Sequence, residues 1–152
     1  MQRLISLYDG LVRMASGPIA EGLALLLTRF ALAGVFWSSG RTKVAEGTWL
    51  QLSDVQVFLF ESEFSAVPIP AQIAAPMALY AETFFPILLV LGLATRFSAL
   101  SLLIMTLVIQ FFVFPDAWWS VHILWAALAA ILISRGGGLW SLDAIIGRLR
   151  AR

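Results

Sequence analysis

Apolar and polar positions along this chain sort into long apolar blocks separated by short polar breaks. Four blocks approach the roughly 20 mainly apolar residues that a membrane-crossing helix needs: residues 19–39, 71–94, 97–114 and 118–134. The last two are short, and Pro115 with Asp116 marks the turn between them. The other breaks also carry turn-forming residues: Ser39-Gly40, Thr95-Arg96, and Gly136, Gly137 and Gly138 after the last block. The pattern predicts an all-α fold, a transmembrane four-helix bundle, as a single membrane domain over residues 1–152.

Between the first two blocks, residues 41–69 form the one sizeable extramembrane loop. Ser53-Asp54-Val55-Gln56 has the spacing of a capping box. Val55, Phe58 and Leu59 follow at helical spacing, and Pro68 and Pro70 end the pattern. A short amphipathic helix on the outer membrane surface, or capping the bundle, is expected there. Residues 139–152 place Leu142, Ile145, Ile146 and Leu149 on one stripe beside Arg148, Arg150 and Arg152. This reads as a basic interfacial helix lying on anionic lipid. The first fifteen residues, with Leu4, Tyr8, Leu11 and Val12, read the same way less clearly, with a frayed solvated tail as the alternative.

Composition strengthens the membrane reading. Hydrophobic residues make up 61% of the chain and charged residues 12%, whereas soluble domains carry about 25% charged residues. A chain this short cannot hide so much apolar surface in its own core, so the bilayer is its first partner. A net charge of +1 leaves no basic face to neutralise a run of phosphates, which argues against nucleic acid. The absence of cysteine excludes disulfides, thiolate metal sites and iron–sulfur clusters built by this chain. The first apolar block carries Glu21 and Arg29, unlike the short uncharged core of a cleaved signal peptide, so it is expected to be retained as a span.

Charge also orients the bundle. Arg3, Arg13, Arg96, Arg135, Arg148, Arg150 and Arg152 flank one side, and Arg41 and Lys43 the other. The positive-inside rule places the first set, and both termini, in the cytoplasm of a bacterial-type inner membrane. The opposite side holds Glu46, Asp54, Glu61, Glu63 and Asp116.

Ionisable groups inside a span cost about 2.5–3.5 kcal/mol each on insertion scales, so each needs a reason. Arg29 and Glu82 fall near the middles of antiparallel spans and are expected to meet as a midplane pair, either functional or fixing helix register. On the first span Gly22, Leu26, Arg29, Ala33 and Gly40 recur near helical spacing, and the small members would admit a close neighbour. Pro86 removes the helical bond to the Glu82 carbonyl, which predicts a kink and a polar pocket. Gln110 and His122 sit toward the outer ends of the last two spans. With Arg41, Lys43 and Asp116 they are expected to form a polar cluster beneath the outer surface. One histidine without cysteine is a poor metal site. His122 suits proton relay or a bond to a carbonyl ligand, the alternative being an interfacial histidine bonded to a loop carbonyl. Trp37, Trp49, Trp118 and Trp119 cluster at the outer boundary as belt residues. Trp118 and Trp119 beside His122 are alternatively the wall of a site for a flat ring such as a quinone.

The run Arg29-Phe30-Ala31-Leu32-Ala33-Gly34-Val35-Phe36, followed by Ser39-Gly40-Arg41-Thr42-Lys43, resembles the opening of the DoxX family of small membrane proteins. So does Glu82 followed by Pro86 and then Leu91-Gly92-Leu93-Ala94-Thr95-Arg96. The resemblance covers about residues 25–135 and implies a four-helix membrane protein. Relatives in that family are linked to quinone-reducing sulfur oxidation, terminal oxidase complexes and maturation of redox proteins. The stretch Gln110-Phe111-Phe112-Val113-Phe114-Pro115-Asp116-Ala117-Trp118 is similar to a subgroup encoded beside enzymes that modify metal-handling peptides.

The resemblance therefore implies an accessory membrane subunit of a redox or metal-stress pathway, with a redox protein as partner and a quinone or other lipid-soluble molecule as ligand. The expected ligand-binding residues are Arg29, Glu82, Gln110, His122, Lys43 and Trp118. Two readings of other classes stand beside it: a small solute transporter acting as a homodimer, and a structural assembly factor.

Overall fold

A computed structural model describes residues 1–151. Arg152, counted above with the basic set, lies outside the described residues. Seven helices follow in order: α1 (Gln2–Ala15), α2 (Pro18–Arg41), α3 (Asp54–Ser62), α4 (Ala71–Leu91), α5 (Thr95–Phe112), α6 (Ile123–Arg135) and α7 (Leu142–Arg150). A 3₁₀ turn, Pro115–Ala117, and a π-helical turn, Trp118–His122, lead into α6. The segments Pro18–Arg41, Ala71–Leu91, Thr95–Phe112 and Pro115–Arg135 are each long and apolar enough to cross a membrane. The chain is an all-helical four-span bundle, as the hydropathy blocks predict.

The start of α2, the α4–α5 turn, the end of α6 and the start of α7 lie together at one end of the bundle, here called the terminal side, and the 42–70 connection lies at the other, the loop side. Each α2 residue that turns inward is small, aliphatic or aromatic apart from Arg29: Gly22, Leu25, Leu32, Ala33, Phe36 and Gly40. Leu25, Leu32, Phe36, Leu89, Leu102 and Leu132 meet in one core cluster drawn from all four spans. The outward positions stay apolar as well, with Leu27, Phe30, Phe84, Ile104 and Leu124 about half exposed or more. Only lipid makes that arrangement favourable.

The breaks are built as local chemistry requires. At the end of α4, Gly92 takes φ +67°, and its N–H and that of Leu93 bond back to the carbonyls of Leu89 and Leu88. This is the left-handed glycine cap that closes a helix. It stops α4 three residues short of the expected 94. Proline did not break α4: the helix runs through Pro76 and Pro86. The short helix expected in the loop is α3, but the capping box is not made. Ser53 stands at the N-cap without a side-chain bond, and Gln56 instead reaches the Thr42 carbonyl at 3.3 Å. Before α3 the chain doubles back through Gly47, with one antiparallel bridge between Val44 and Leu52. That reversal holds Lys43 at the loop-side end of α2. Phe60 of α3 packs with Ala75 and Ala78 of α4, so the loop lies against the bundle.

At the terminal side α7 is tied down. Ser141 caps it through Ala144 N–H at 3.1 Å. The two Asp143 oxygens accept from the amides of Ala94, the N-cap of α5, and of Thr95, its first residue, each at 2.8 Å. α1 has no buried residue, and its apolar side chains are exposed.

Candidate functional site

Small residues on α4 create the space for a site. Ala74, Ala78 and Ala81 recur at helical spacing on the face turned toward α5, where Ser101, Met105 and Val108 answer them. The two helices are joined by the tight turn at Gly92 and leave a cavity of about 410 Å³ nearer the loop side. Such a volume lies within the ordinary range for small-molecule sites, about 300–1,000 Å³. Phe60 and Phe64, stacked with ring centroids 4.3 Å apart, roof it. Phe36 and Trp125 line its inner wall, meeting edge to face at 5.6 Å. Met77 and Ile104, more than half exposed, stand at its rim, so the opening faces sideways into the lipid zone.

Five polar side chains interrupt these apolar walls: Ser39, Lys43, Glu82, Ser101 and His122. Glu82 is 2% exposed and forms a 2.7 Å ion pair with Lys43. Lys43 also donates to the Ser39 carbonyl and hydroxyl, at 3.4 and 3.1 Å. The pair exists because Gly40 lets the backbones of α2 and α4 approach. A Cβ on Gly40 would lie 2.9 Å from the Glu82 carbonyl oxygen and 3.0 Å from its Cβ. That carbonyl is the one Pro86 deprives of its helical partner. Next to the pair, Arg41 donates to Thr83 Oγ1 at 2.6 Å and lies over the Trp37 ring at 4.6 Å.

His122 reaches the cavity from the π-helical turn. There the amide of Ile123 bonds back to the Trp118 carbonyl, five residues earlier. A turn wound this wide re-aims a side chain and is frequent at functional sites. The imidazole is 3% exposed, and its Nδ1 is 2.6 Å from Gln110 Oε1. Gln110 in turn donates to the Pro115 carbonyl at 2.6 Å.

The expected Arg29–Glu82 pair is not formed. Gly40 lies opposite Glu82 and eleven residues beyond Arg29, about 16 Å at the ordinary helical rise. Midpoints of spans proved a poor guide to depth, because α4 extends past the end of α2 on the loop side. Arg29, fully buried, turns to the terminal side. It donates to the carbonyls of Leu89 and Val90, both at 3.2 Å, and of Trp140 at 2.6 Å. Any Cβ on Gly92 would collide with its guanidinium. Arg29 thus ties the α4 end to the segment before α7 and lies outside the cavity.

Of the other expected residues, Gln110 and His122 do come together, and Lys43 joins Glu82. Arg41 and Asp116 are not in that cluster: Asp116 is exposed, and Arg41 is engaged by Trp37, Trp49 and Thr83. Trp118 does not line the cavity and Trp119 is 80% exposed. Trp125 takes the place foreseen for them, with its ring centroid 5.2 Å from His122. The residues that sequence reading missed are Trp125, Ser39 and the alanines of α4. The signal for the last was present, as Ala71, Ala74, Ala75, Ala78 and Ala81 are five small residues on an eleven-residue stretch.

Comparison with known proteins agrees with this architecture. No solved structure matches the chain. A protein of Haemophilus influenzae described as "Uncharacterized protein" is 34% identical over 139 residues, covering 86% of this chain and 88% of its own. The sequence pattern of the DoxX family matches residues 24–115, which take in most of α2, all of α3, α4 and α5, and both members of the Lys43–Glu82 pair. By that match and that relative, the chain belongs to the DoxX family.

Proposed function

We propose that this DoxX protein is an accessory membrane subunit that holds a lipid-soluble small molecule, of quinone size and shape, for a redox or metal-stress pathway. It serves a partner protein rather than completing a reaction alone. The observation that carries the reading is the cavity between α4 and α5, apolar on its walls and open at the lipid level, with Lys43, Glu82 and His122 at its polar end. Polar groups are expensive to keep out of water. A bundle that needed only packing would be at least as stable with apolar side chains there. The reading places the terminal side in the cytoplasm of a bacterial inner membrane, on the strength of the arginines that flank it.

The test is mass spectrometry of organic extracts from protein purified in mild detergent. Wild type is expected to retain an apolar molecule that Ala81→Phe, with a ring placed in the cavity, does not. No molecule in either preparation would sink the proposal. Ion-coupled solute uptake by the protein in liposomes would turn the reading to transport.

A further inference from the structure

Two hydrogen bonds define the polarity of the one histidine at the cavity. Gln110 donates through Nε2 to the Pro115 carbonyl, and a carbonyl only accepts. The atom Gln110 turns to His122 is therefore Oε1, also an acceptor. His122 Nδ1, 2.6 Å away, must carry the hydrogen of that bond. In the neutral imidazole the second nitrogen, Nε2, is then an acceptor without a hydrogen. It has no partner among the described residues.

The opposite polar group has the same character. Lys43 spends its three N–H bonds on Ser39 O, Ser39 Oγ and Glu82 Oε2. No cationic donor is left over, and the Ser39 hydroxyl is engaged by Glu82 as well, while the carboxylate keeps acceptor capacity. Ser101, also at the cavity, donates away from it to the Phe97 carbonyl at 3.0 Å. The indole N–H of Trp125 makes no bond to any described residue. A hydroxyl both donates and accepts, so one group can serve His122 and Trp125 together.

We infer that the cavity selects a ligand whose polar end is a hydroxyl, as in a phenol or hydroquinone head on an apolar tail. Molecules offering only carbonyl or ether oxygens are disfavoured. The inference rests on the ligand-holding reading above and sharpens it. A carbonyl oxygen can accept from Trp125 but offers no hydrogen to His122 Nε2 or to the Glu82 carboxylate, which leaves desolvated acceptors unpaired. Sites built around a hydroxyl discriminate strongly against analogues lacking it for this reason. The direction is opposite to the carbonyl-binding role that position alone suggested for His122.

The experiment compares 4-nonylphenol with 4-nonylanisole, its methyl ether, for binding to the full chain in lipid nanodiscs, read by tryptophan fluorescence. The Ala81→Phe chain reports uptake by the lipid itself. The phenol is expected to bind wild type at least tenfold more tightly, and His122→Phe to reduce that ratio to below threefold. The wild-type ratio needs no variant to fold. Equal affinity of both probes would overturn the hydroxyl preference and leave the cavity reading standing, as would a ratio unchanged in a folded His122→Phe protein. Binding of neither probe, or equal binding of both probes by wild type and Ala81→Phe, would overturn the cavity reading and this inference with it.

Discussion

Lys43 and Glu82 are each close to fully enclosed, and each is the other's only charged partner within salt-bridge distance among the described residues. Removing one partner of such a pair strands the other, at a cost of roughly 3–5 kcal/mol. Lys43→Met and Glu82→Leu are each expected to lower unfolding stability in detergent by about that much. The double variant should recover most of it and insert normally while losing bound ligand. Additive losses would mean that the two charges are not coupled. Arg29 and Glu82 supply the contrast. Since they do not touch, Arg29→Ala and Glu82→Ala should add within about 0.3–0.5 kcal/mol in the same assay. Both buried charges were legible in the sequence because each falls near the middle of an apolar block. Their partners were not, because pairing depends on how far α4 slides along α2. That offset is set where Gly40 meets the Glu82 backbone, and the reversal through Gly47 then holds the Lys43 carbonyl on the Ser53 N–H.

Among the elements, α7 shows most plainly how a short segment is held. Its nine residues are too few for a helix stable by itself in water. Its anchors are the Ser141 cap, the Asp143 carboxylate on the amides of Ala94 and Thr95, and the Trp140 carbonyl on Arg29. Asp143 also compensates Ala94, a non-glycine residue at φ 49°, a conformation costing roughly 1–2 kcal/mol. Asp143→Ala should therefore lower stability by about 0.5–2 kcal/mol and speed tryptic cleavage at Arg148 in nanodiscs. Cleavage at the wild-type rate would show that α7 is held by lipid rather than by these bonds. The apolar stripe of 139–152 announced the helix, but nothing in that stripe distinguishes lying on lipid from docking through a carboxylate. The π-helical turn was equally hidden. Trp118, Trp119 and Trp125 are alike in sequence, and one extra residue in the turn decides which of them faces inward.

For the molecule as a whole, hydropathy sufficed to place four spans within a few residues, since lipid imposes length and polarity directly. The cavity was not legible, because a gap is where packing is missing and has no residue type of its own. The alanines of α4 are its nearest trace. The proposed orientation rests on the arginines that flank the terminal side. Arg3→Cys should resist a membrane-impermeant thiol reagent in intact cells, and Glu61→Cys in α3 should react. Both changes are on exposed positions, so neither should disturb folding. Reaction at position 3 from outside would reverse the assignment.

The sideways mouth between Met77 and Ile104 also changes what a dissociation constant means for this protein. A ligand entering from the acyl chains is drawn from a phase in which an apolar molecule is already concentrated by partitioning, at about 0.8 kcal/mol for each buried methylene. The protein then needs to supply only the preference for its cavity over a neighbouring patch of bilayer. Occupancy should follow the mole fraction of ligand in the membrane. At fixed total ligand and protein, added empty vesicles should dilute the ligand in two dimensions and unload the site, although its concentration in the tube is unchanged.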